Sequence, residues 1–337
     1  MSVLSLTGGL AMDLGTANTL IYRKGDGIVV NEPSMVALET ESRRVLAVGQ
    51  EAKNYLGRTP KGLEVVRPLR SGIISNFVVA QEMIKHFLVQ AGAKRCFFRP
   101  KIMVGVPMGV TQLEKRAIVE AAKEAGGKSI HLVDELLAAA IGLGIKTTEP
   151  VARLVLDLGG GTSEGVIISL GTIVVIESCR VAGDESTLAI ARYLRRKYNL
   201  VVGENMAERI KMTIGSAIPL EETQSFQCRG KEVHTGIPKM VNLTSEDIRE
   251  ALVDITAEFV NLIKLLLSQT PPELAIDLSR DGLNLTGGGS LLKGLDKRLS
   301  QEIGLPVHVP ENPLLSVALG LGEVLENMSY FKSVFVN

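Results

Sequence analysis

Tryptophan is absent from this chain of 337 residues, and aromatic residues make up only 4% of it. Stacking platforms for single-stranded nucleic acid are therefore not expected. Neither sign of charge dominates: 37 Lys and Arg balance 37 Asp and Glu. A net charge of zero argues against a long phosphate-binding footprint, so nucleic acid is excluded as a partner class. The three cysteines, Cys96, Cys179 and Cys228, are odd in number and irregularly spaced. They give neither a disulfide framework nor metal-ligand spacing, and read as thiols in a reducing compartment. The four histidines show no ligand pattern either. No uncharged apolar run is long enough to span a bilayer. The first residues lack the charged n-region and cleavage site of a secretory signal.

Apolar residues, by contrast, make up 45% of the chain, and the length suggests about two domains with full cores. Glycine is abundant, and its placement carries the most information. In Leu154-Val155-Leu156-Asp157-Leu158-Gly159-Gly160-Gly161-Thr162-Ser163-Glu164 an apolar strand ends in a carboxylate, three glycines and two hydroxyl residues. Consecutive glycines let a backbone turn sharply and approach a ligand, because no Cβ intervenes. The N–H groups of such a turn can hold an anion, most often phosphate. A carboxylate beside phosphate is repulsive unless a cation separates them, which implies Mg²⁺. The competing, less favoured reading of the stretch alone is a tight hairpin between strands.

Repetition raises the functional reading. Gly9-Leu10-Ala11-Met12-Asp13-Leu14-Gly15-Thr16-Ala17-Asn18-Thr19-Leu20-Ile21-Tyr22 has the same grammar: strand, Asp, Gly, hydroxyl, second strand. Two such turns suggest two related half-molecules holding one nucleotide. A third glycine cluster, Gly287-Gly288-Gly289, follows the apolar residues Leu283 and Leu285. Between the first two turns, short strands to about Pro68 read as a small α/β insertion. Thr111 and Glu114 have capping-box spacing at the start of a helix. Ile130–Val133 reads as a strand ending in Asp134-Glu135, and a carboxylate at such a junction can orient water for attack on phosphorus. The alternative role for Glu135 is an acid favoured by the helix dipole. Thr147–Val151 reads as a linker and domain boundary. Glu208 and Lys211 lie at i and i+3 on one helix face, the spacing of an ion pair. Ser245-Glu246-Asp247 opens one long amphipathic helix carrying Ile248, Leu252, Ile255, Phe259 and Leu266, ended by Pro271-Pro272. Lys94-Arg95-Cys96-Phe97-Phe98-Arg99-Pro100-Lys101 sets two phenylalanines among four cations. This stretch reads either as a loop that enters a lipid boundary or as the start of a strand.

With these features in place, the chain resembles the actin/Hsp70/sugar-kinase ATPase superfamily, and within it most closely the MreB family of bacterial actin homologues. The resemblance runs over nearly the whole chain. Asp13–Tyr22 is similar to the first phosphate loop and Asp157–Thr162 to the second. Gly203-Glu204, Ala207–Lys211 and Ile214–Ala217 are similar to the ribose-side helix. Thr270–Leu274 and Leu285–Gly289 are similar to the closing helix and adenosine turn, and Asn31–Ser34 and Gly57–Pro60 are also family-like.

The resemblance implies an α/β, actin-like ATPase fold, with two related RNase H-like halves carrying inserted subdomains around a nucleotide cleft. The expected subdomains are IA (1–31, 69–146 and 322–337), IB (32–68), IIA (147–181 and 244–321) and IIB (182–243). It implies ATP and Mg²⁺ as ligands, with Asp13 and Asp157 holding the metal. Gly15, Thr16, Ala17, Asn18, Gly159, Gly160, Gly161 and Thr162 would cradle phosphates. Glu208 and Lys211 would contact the ribose, Gly287, Gly288 and Gly289 the adenine side, and Glu135 would position the attacking water. Phe97 and Phe98 fall where some relatives have a membrane-insertion loop. The implied function is a homopolymer filament on the inner face of the cell membrane, with cell-wall elongation proteins as partners and rod shape as the outcome. A paralogue organising an organelle or other cargo, or a non-filamentous kinase of the same fold, is the alternative. Four departures stand out. Asp134-Glu135-Leu136 replaces Glu-Glu-Pro, which is expected to alter the helix start and the hydrolysis rate. Ser163 follows Gly-Gly-Gly-Thr, Ala182 replaces the first glycine of Gly-Gly-Asp, and Ser186-Thr187 stands where Phe-Asp is usual.

Overall fold

The computed structural model describes residues 8–57, 59–70, 73–93 and 99–336. The chain divides into two compact units, with the main boundary at Val151, where a linker is expected.

The first unit opens with a meander of β1 (Gly9–Leu14), β2 (Asn18–Arg23) and β3 (Gly27–Pro33), paired antiparallel. Next comes the small insertion: β4 (Val36–Glu39), β5 (Val45–Val48), α1 (Gln50–Asn54) and β6 (Leu63–Val66), its strands in the order β5-β4-β6. The short pair β7 (Leu69–Arg70) and β8 (Ile73–Ile74) leads to α2 (Phe77–Gln90). Then follow β9 (Lys101–Val106), α3 (Gln112–Glu124), β10 (Ser129–Asp134) and α4 (Glu135–Gly142). The main sheet runs β10-β9-β1-β2-β3, with β1, β9 and β10 mutually parallel. Parallel strands need covered faces, and β9 is accordingly buried from Ile102 to Val106. Its core takes in Leu10, Met12, Ile21, Met83, Phe87 and Ile118. Each such side chain contributes about 1.5–3 kcal/mol through burial. The capping box at Thr111 and Glu114 forms as the spacing requires.

The second unit repeats the plan. Strands β11 (Arg153–Leu158), β12 (Ser163–Ser169) and β13 (Thr172–Cys179) precede α5 (Gly183–Tyr198). An insertion follows, built from β14 (Leu200–Val201), α6 (Glu204–Ile214), β15 (Ser225–Glu232) and β16 (Pro238–Thr244), with sheet order β14-β15-β16. Helices α7 (Ser245–Ala251), α8 (Val253–Ser268) and α9 (Pro272–Asp281) lead to β17 (Leu283–Thr286), α10 (Leu295–Ile303) and β18 (Val307–His308). The main sheet runs β13-β12-β11-β17-β18, with β17 parallel to both neighbours. Each unit thus has a three-strand meander whose first strand is flanked by two further, later strands.

One expectation is corrected. The amphipathic stretch from Ser245 is two helices, broken at Leu252, whose backbone leaves the helical region (φ −102°, ψ 2°). Leu252 stays buried in the same core as Ile248, Ile255, Phe259 and Leu266. The apolar periodicity therefore continues across a break that it cannot reveal.

The last helix, α11 (Ser316–Glu326), belongs to the first unit and packs backbone to backbone on α4. A Cβ on Gly320 would lie 1.8 Å from the Ala138 carbonyl oxygen, and one on Gly142 1.9 Å from that of Ser316. Only glycine permits this approach.

Candidate nucleotide-binding turns

In the first unit, β1 delivers Asp13 to the sheet edge, and Gly15 to Ala17 turn the chain into β2. Gly15 is required for space, not for a left-handed φ: a Cβ there would meet the Asn18 carbonyl oxygen at 2.7 Å. Ser34, directly after β3, holds the turn. Its hydroxyl donates to the Gly15 carbonyl at 2.6 Å, and its N–H donates to the Ala17 carbonyl at 2.9 Å. The Ser34 proton being committed, the Thr19 hydroxyl 2.9 Å away donates to the Ser34 oxygen. Both hydroxyls are fully buried. Thr16 is buried as well, and Ala17 is exposed.

Glu135 is the first residue of α4, at the end of β10. Because β1, β9 and β10 are parallel, Asp13 and Glu135 emerge at the same carboxyl edge of the sheet, where open α/β sheets bind ligands. Glu135 passes over Gly105 of β9, its Cγ 3.1 Å from where a Cβ would stand. The departure at Leu136 has a local consequence. Asp134 caps α4 by accepting the N–H groups of both Leu136 and Leu137 at 3.0 Å. A proline at 136 would have no N–H to give. Burial pushes the Asp134 carboxyl up, while these two N–H groups pull it down.

In the second unit, Asp157 pairs in register with Thr286, so Asp157 and the Gly287 turn share one edge. Gly287 has φ +76°, and a Cβ there would lie 2.3 Å from Asp157 Oδ1 and 2.5 Å from the Leu158 carbonyl oxygen. A Cβ on Gly289 would meet the Leu158 side chain at 2.7 Å. Burial pushes the Asp157 carboxyl up to about 6. The turn itself closes through Gly159 N–H to the Thr162 carbonyl at 3.0 Å. It is then held by the start of α5: Gly183 N–H donates to the Gly159 carbonyl at 3.1 Å, and Asp184 N–H to that of Gly160 at 2.8 Å. Ser163, the substituted hydroxyl, donates to the Val181 carbonyl at 2.7 Å and is fully buried. The Cβ added at Ala182 is buried too, while Gly183 lies against Gly159 and Gly160.

Glu208 and Lys211 of α6 form their expected ion pair at 2.6 Å, but not as an isolated surface pair. Lys211 Nζ also donates to the Gly183 carbonyl at 2.8 Å and the Thr187 hydroxyl at 3.0 Å. The Thr187 hydroxyl is in turn within donating reach of two acceptors, Glu208 and the Gly183 carbonyl, the latter at 3.0 Å.

The first unit therefore brings together Asp13, Gly15, Thr16, Ala17, Asn18 and Glu135. The second brings together Asp157, Gly159, Gly160, Gly161, Thr162, Glu208, Lys211, Gly287, Gly288 and Gly289. Phe97 and Phe98 lie outside the described residues, as do Lys94, Arg95 and Cys96. Sequence reasoning missed Ser34 as the prop of the first turn and read Thr187 only as a departure. The Asn31–Ser34 motif was the available signal for Ser34; nothing local marked Thr187 as a partner of Lys211.

Among the described residues no group of three or more His, Cys, Asp or Glu forms a metal site. Mg²⁺ does not need one: it binds through one or two carboxylates, water and substrate phosphates. Asp13 in the first unit and Asp157 in the second are each a hard oxygen donor beside a glycine turn, the kind of ligand such a cation takes. No described helix is long and apolar enough to cross a membrane.

The family model described as MreB/Mbl protein matches residues 7–333. The chain is 46% identical over 323 residues to the cell shape-determining protein MreB of Escherichia coli, covering 94% of this chain and 93% of that one. It is 42% identical over 319 residues to the cell shape-determining protein Mbl of Bacillus subtilis, covering 95% and 96%. Among solved structures, MreB5 of Spiroplasma citri bound to AMPPNP superposes with a TM-score of 0.91 at 34% identity, covering 96% and 97%. The MamK double helical filament, with a TM-score of 0.80 at 21% identity over 95% and 99%, shares the fold. Two similar α/β halves with matching sheet orders and a family match over nearly its full length lead to one conclusion: this chain belongs to the MreB/Mbl family and has the actin-like ATPase fold.

Proposed function

We propose that this protein is a cytoskeletal ATPase that assembles with ATP and Mg²⁺ into filaments lying on the inner face of the cell membrane, where they direct cell-wall synthesis and rod shape. The observation that carries this reading is the repeated Asp–Gly turn, set at the carboxyl edge of two sheets with matching strand order. Relatives named for determining cell shape, and one solved with AMPPNP, support it.

In this reading Asp13 and Asp157 hold the metal, and both turns serve one triphosphate. Bound Mg²⁺ neutralises phosphate charge and templates the chain's oxygens around it. Gly15 to Asn18 and Gly159 to Thr162 offer backbone N–H groups to the phosphates. Glu208 and Lys211 receive the ribose, Gly287 to Gly289 flank the adenine, and Glu135 orients the attacking water. The subdomains divide as the family implies: IA 1–31, 69–146 and 322–337; IB 32–68; IIA 147–181 and 244–321; IIB 182–243. Monomers join head to tail, a heterologous contact that does not close and so extends. Hydrolysis changes the preference between conformers and thereby weakens that contact. Phe97 and Phe98, with the cations around them, touch lipid weakly in each subunit and strongly along a filament. Membrane proteins of cell-wall elongation would then be recruited as partners.

Negative-stain microscopy and sedimentation with Mg-ATP, with and without anionic liposomes, test this reading. Filaments that require nucleotide and decorate liposomes are expected. Phe97→Ser with Phe98→Ser should abolish most liposome co-sedimentation while filaments persist. A protein that stays monomeric under every nucleotide condition would rule out the filament.

A further inference from the structure

β10 is an outer strand of the first unit's main sheet, with β9 on its inner side. An outer strand leaves a row of backbone N–H and C=O groups open. At the end of β10 that row is met by the last described residues of the chain. After a single helical turn at Lys332–Val334, the backbone of Phe335 is extended (φ −76°, ψ 132°). Phe335 bridges antiparallel to Val133, and the Val336 N–H donates to the Leu132 carbonyl at 2.9 Å. Side chains fasten the segment. Val334 is buried, Val336 packs against the main core, and the Phe335 ring centre lies 5.6 Å from that of His131. The cover is uneven: Ser129, Ile130 and His131 are half-buried, whereas Leu132, Val133 and Asp134 are buried. The covered end is the one that runs into Asp134, the cap of α4, and Glu135.

We propose that the C-terminal segment Phe335–Val336 is a positioning element for Glu135: by pairing with Leu132 and Val133 it fixes the end of β10, and with it the point where Glu135 leaves the sheet. The proposal rests on the reading of Glu135 as the residue that orients water. Two anchors set α4. Its far end is set by α11, where Gly142 and Gly320 bring the two backbones together. Its start follows from β10, because Asp134 is at once the last residue of the strand and the cap of the helix. Val133 directly precedes that cap, so a shift at the covered edge passes straight into Glu135. Without the C-terminal segment, the end of β10 would be paired on the β9 side only. The stretch of chain that supplies α11 therefore also supplies the cover, and one segment sets both the body of α4 and the strand leading into it. Aligning a water is a task that a small displacement spoils, because the reacting groups must be held close to productive geometry.

The test measures single-turnover phosphate release and equilibrium Mg-ATP binding on the full chain, with assembly read by sedimentation in the same samples. Val336→Pro removes the N–H that reaches Leu132. The extended backbone of Phe335 accommodates a following proline. Phosphate release should fall roughly five-fold, while Mg-ATP affinity stays within about two-fold. Val336→Ala trims the side chain but keeps the N–H, and should stay closer to the wild type. If packing alone mattered, the order would reverse, since proline keeps more apolar volume than alanine; that order would overturn the proposal. In a Glu135→Gln background Val336→Pro should slow release no further, because the residue it positions is already disabled. The same slowing with and without Glu135 would overturn the proposal, as would wild-type release in Val336→Pro. A loss of rate that tracks lost Mg-ATP affinity or lost assembly would overturn it too. If Val336→Pro does not fold, deletion of Val336 and Asn337 removes the same hydrogen bond and carries the same expectations. A Glu135→Gln protein that releases phosphate as fast as the wild type would instead sink the assignment of Glu135 itself, a result that no change at Val336 can mimic.

Discussion

The turn after Asp13 and the turn after Asp157 occupy the same place in sheets of the same strand order, yet they are supported differently. The first rests on side chains: Ser34, with Thr19 behind it, holds the carbonyl of Gly15. The second rests on a helix start, since α5 gives two backbone N–H groups to Gly159 and Gly160. It is also pressed by a third turn at Gly287, whereas the nearest atoms to a Cβ on Gly15 belong to its own turn, Asn18 and Asp13. The duplicated grammar of the sequence thus conceals two kinds of support, a buried side chain in the first unit and a helix start in the second.

The largest effect should come from the glycine that combines crowding with a left-handed backbone. Gly287→Ala places a Cβ 2.3 Å from Asp157 Oδ1 and imposes strain at φ +76°. Together these cost roughly 2–5 kcal/mol. Gly15→Ala meets a backbone oxygen at 2.7 Å without the φ penalty, and should cost about 1–3 kcal/mol. Urea unfolding of both variants checks the order. Equal losses would mean that the second turn is no more tightly built than the first.

The next effect turns on the desolvated carboxylate. The folded Asp157 carboxyl titrates at about 6, against an ordinary value of 3.8. Below about pH 4 it is protonated in folded and unfolded chains alike and costs nothing. Between about pH 4 and 6 the unfolded chain ionises first, so stability falls as pH rises. Above that window the loss is complete, at about 3 kcal/mol or less after solvent screening. Asp157→Asn removes the penalty. Without nucleotide it should match the wild type near pH 4 and exceed it above pH 6, while losing Mg-ATP affinity. A stability difference that does not vary with pH would refute the desolvation account.

A smaller effect is expected at the first turn. Ser34→Ala leaves the Gly15 carbonyl and the Thr19 hydroxyl without a buried partner, costing about 1–3 kcal/mol. Ser163→Ala in the second turn removes one donor from the Val181 carbonyl, which keeps the Cys179 thiol at 3.6 Å, and should cost less. If the two variants melt together, the contrast between side-chain and helix support fails.

Both turns were legible because glycine, Asp and hydroxyl residues at fixed spacing have few other uses. The linker ending at Val151 and the capping box at Thr111 were legible for the same reason: local chemistry fixed them. What was not legible is non-local. Nothing near Asp157 announces that Thr286 pairs with it, more than a hundred residues away. Ser34 lies in a family-like motif, but its bond to Gly15 depends on how β3 folds back. The break at Leu252 is invisible because apolar residues on both sides serve one core. Glu208 and Lys211 were legible as a pair, whereas their link to Gly183 depends on packing between two helices.

The smallest effect concerns the start of α4, where Asp134-Glu135-Leu136 stands in place of the Glu-Glu-Pro that the resemblance leads one to expect. The residue before a proline is disfavoured from the helical region. A proline at 136 would therefore turn Glu135 into the cap and begin the helix one residue later. With Leu136 in place, Asp134 is the cap and Glu135 is the first helical residue. The substitution thus displaces the helix start by one position, and with it the backbone carrying the residue assigned to water. Leu136→Pro loses one of two N–H donors to Asp134, a cost of about 1 kcal/mol. Mg-ATP affinity should stay within two-fold, roughly 0.4 kcal/mol, because no phosphate-side group changes. Phosphate release should rise about three-fold, equivalent to roughly 0.6 kcal/mol in the barrier. A single-turnover assay reads it directly. If release is unaltered while the helix start has moved, Glu135 is not the residue that aligns the water.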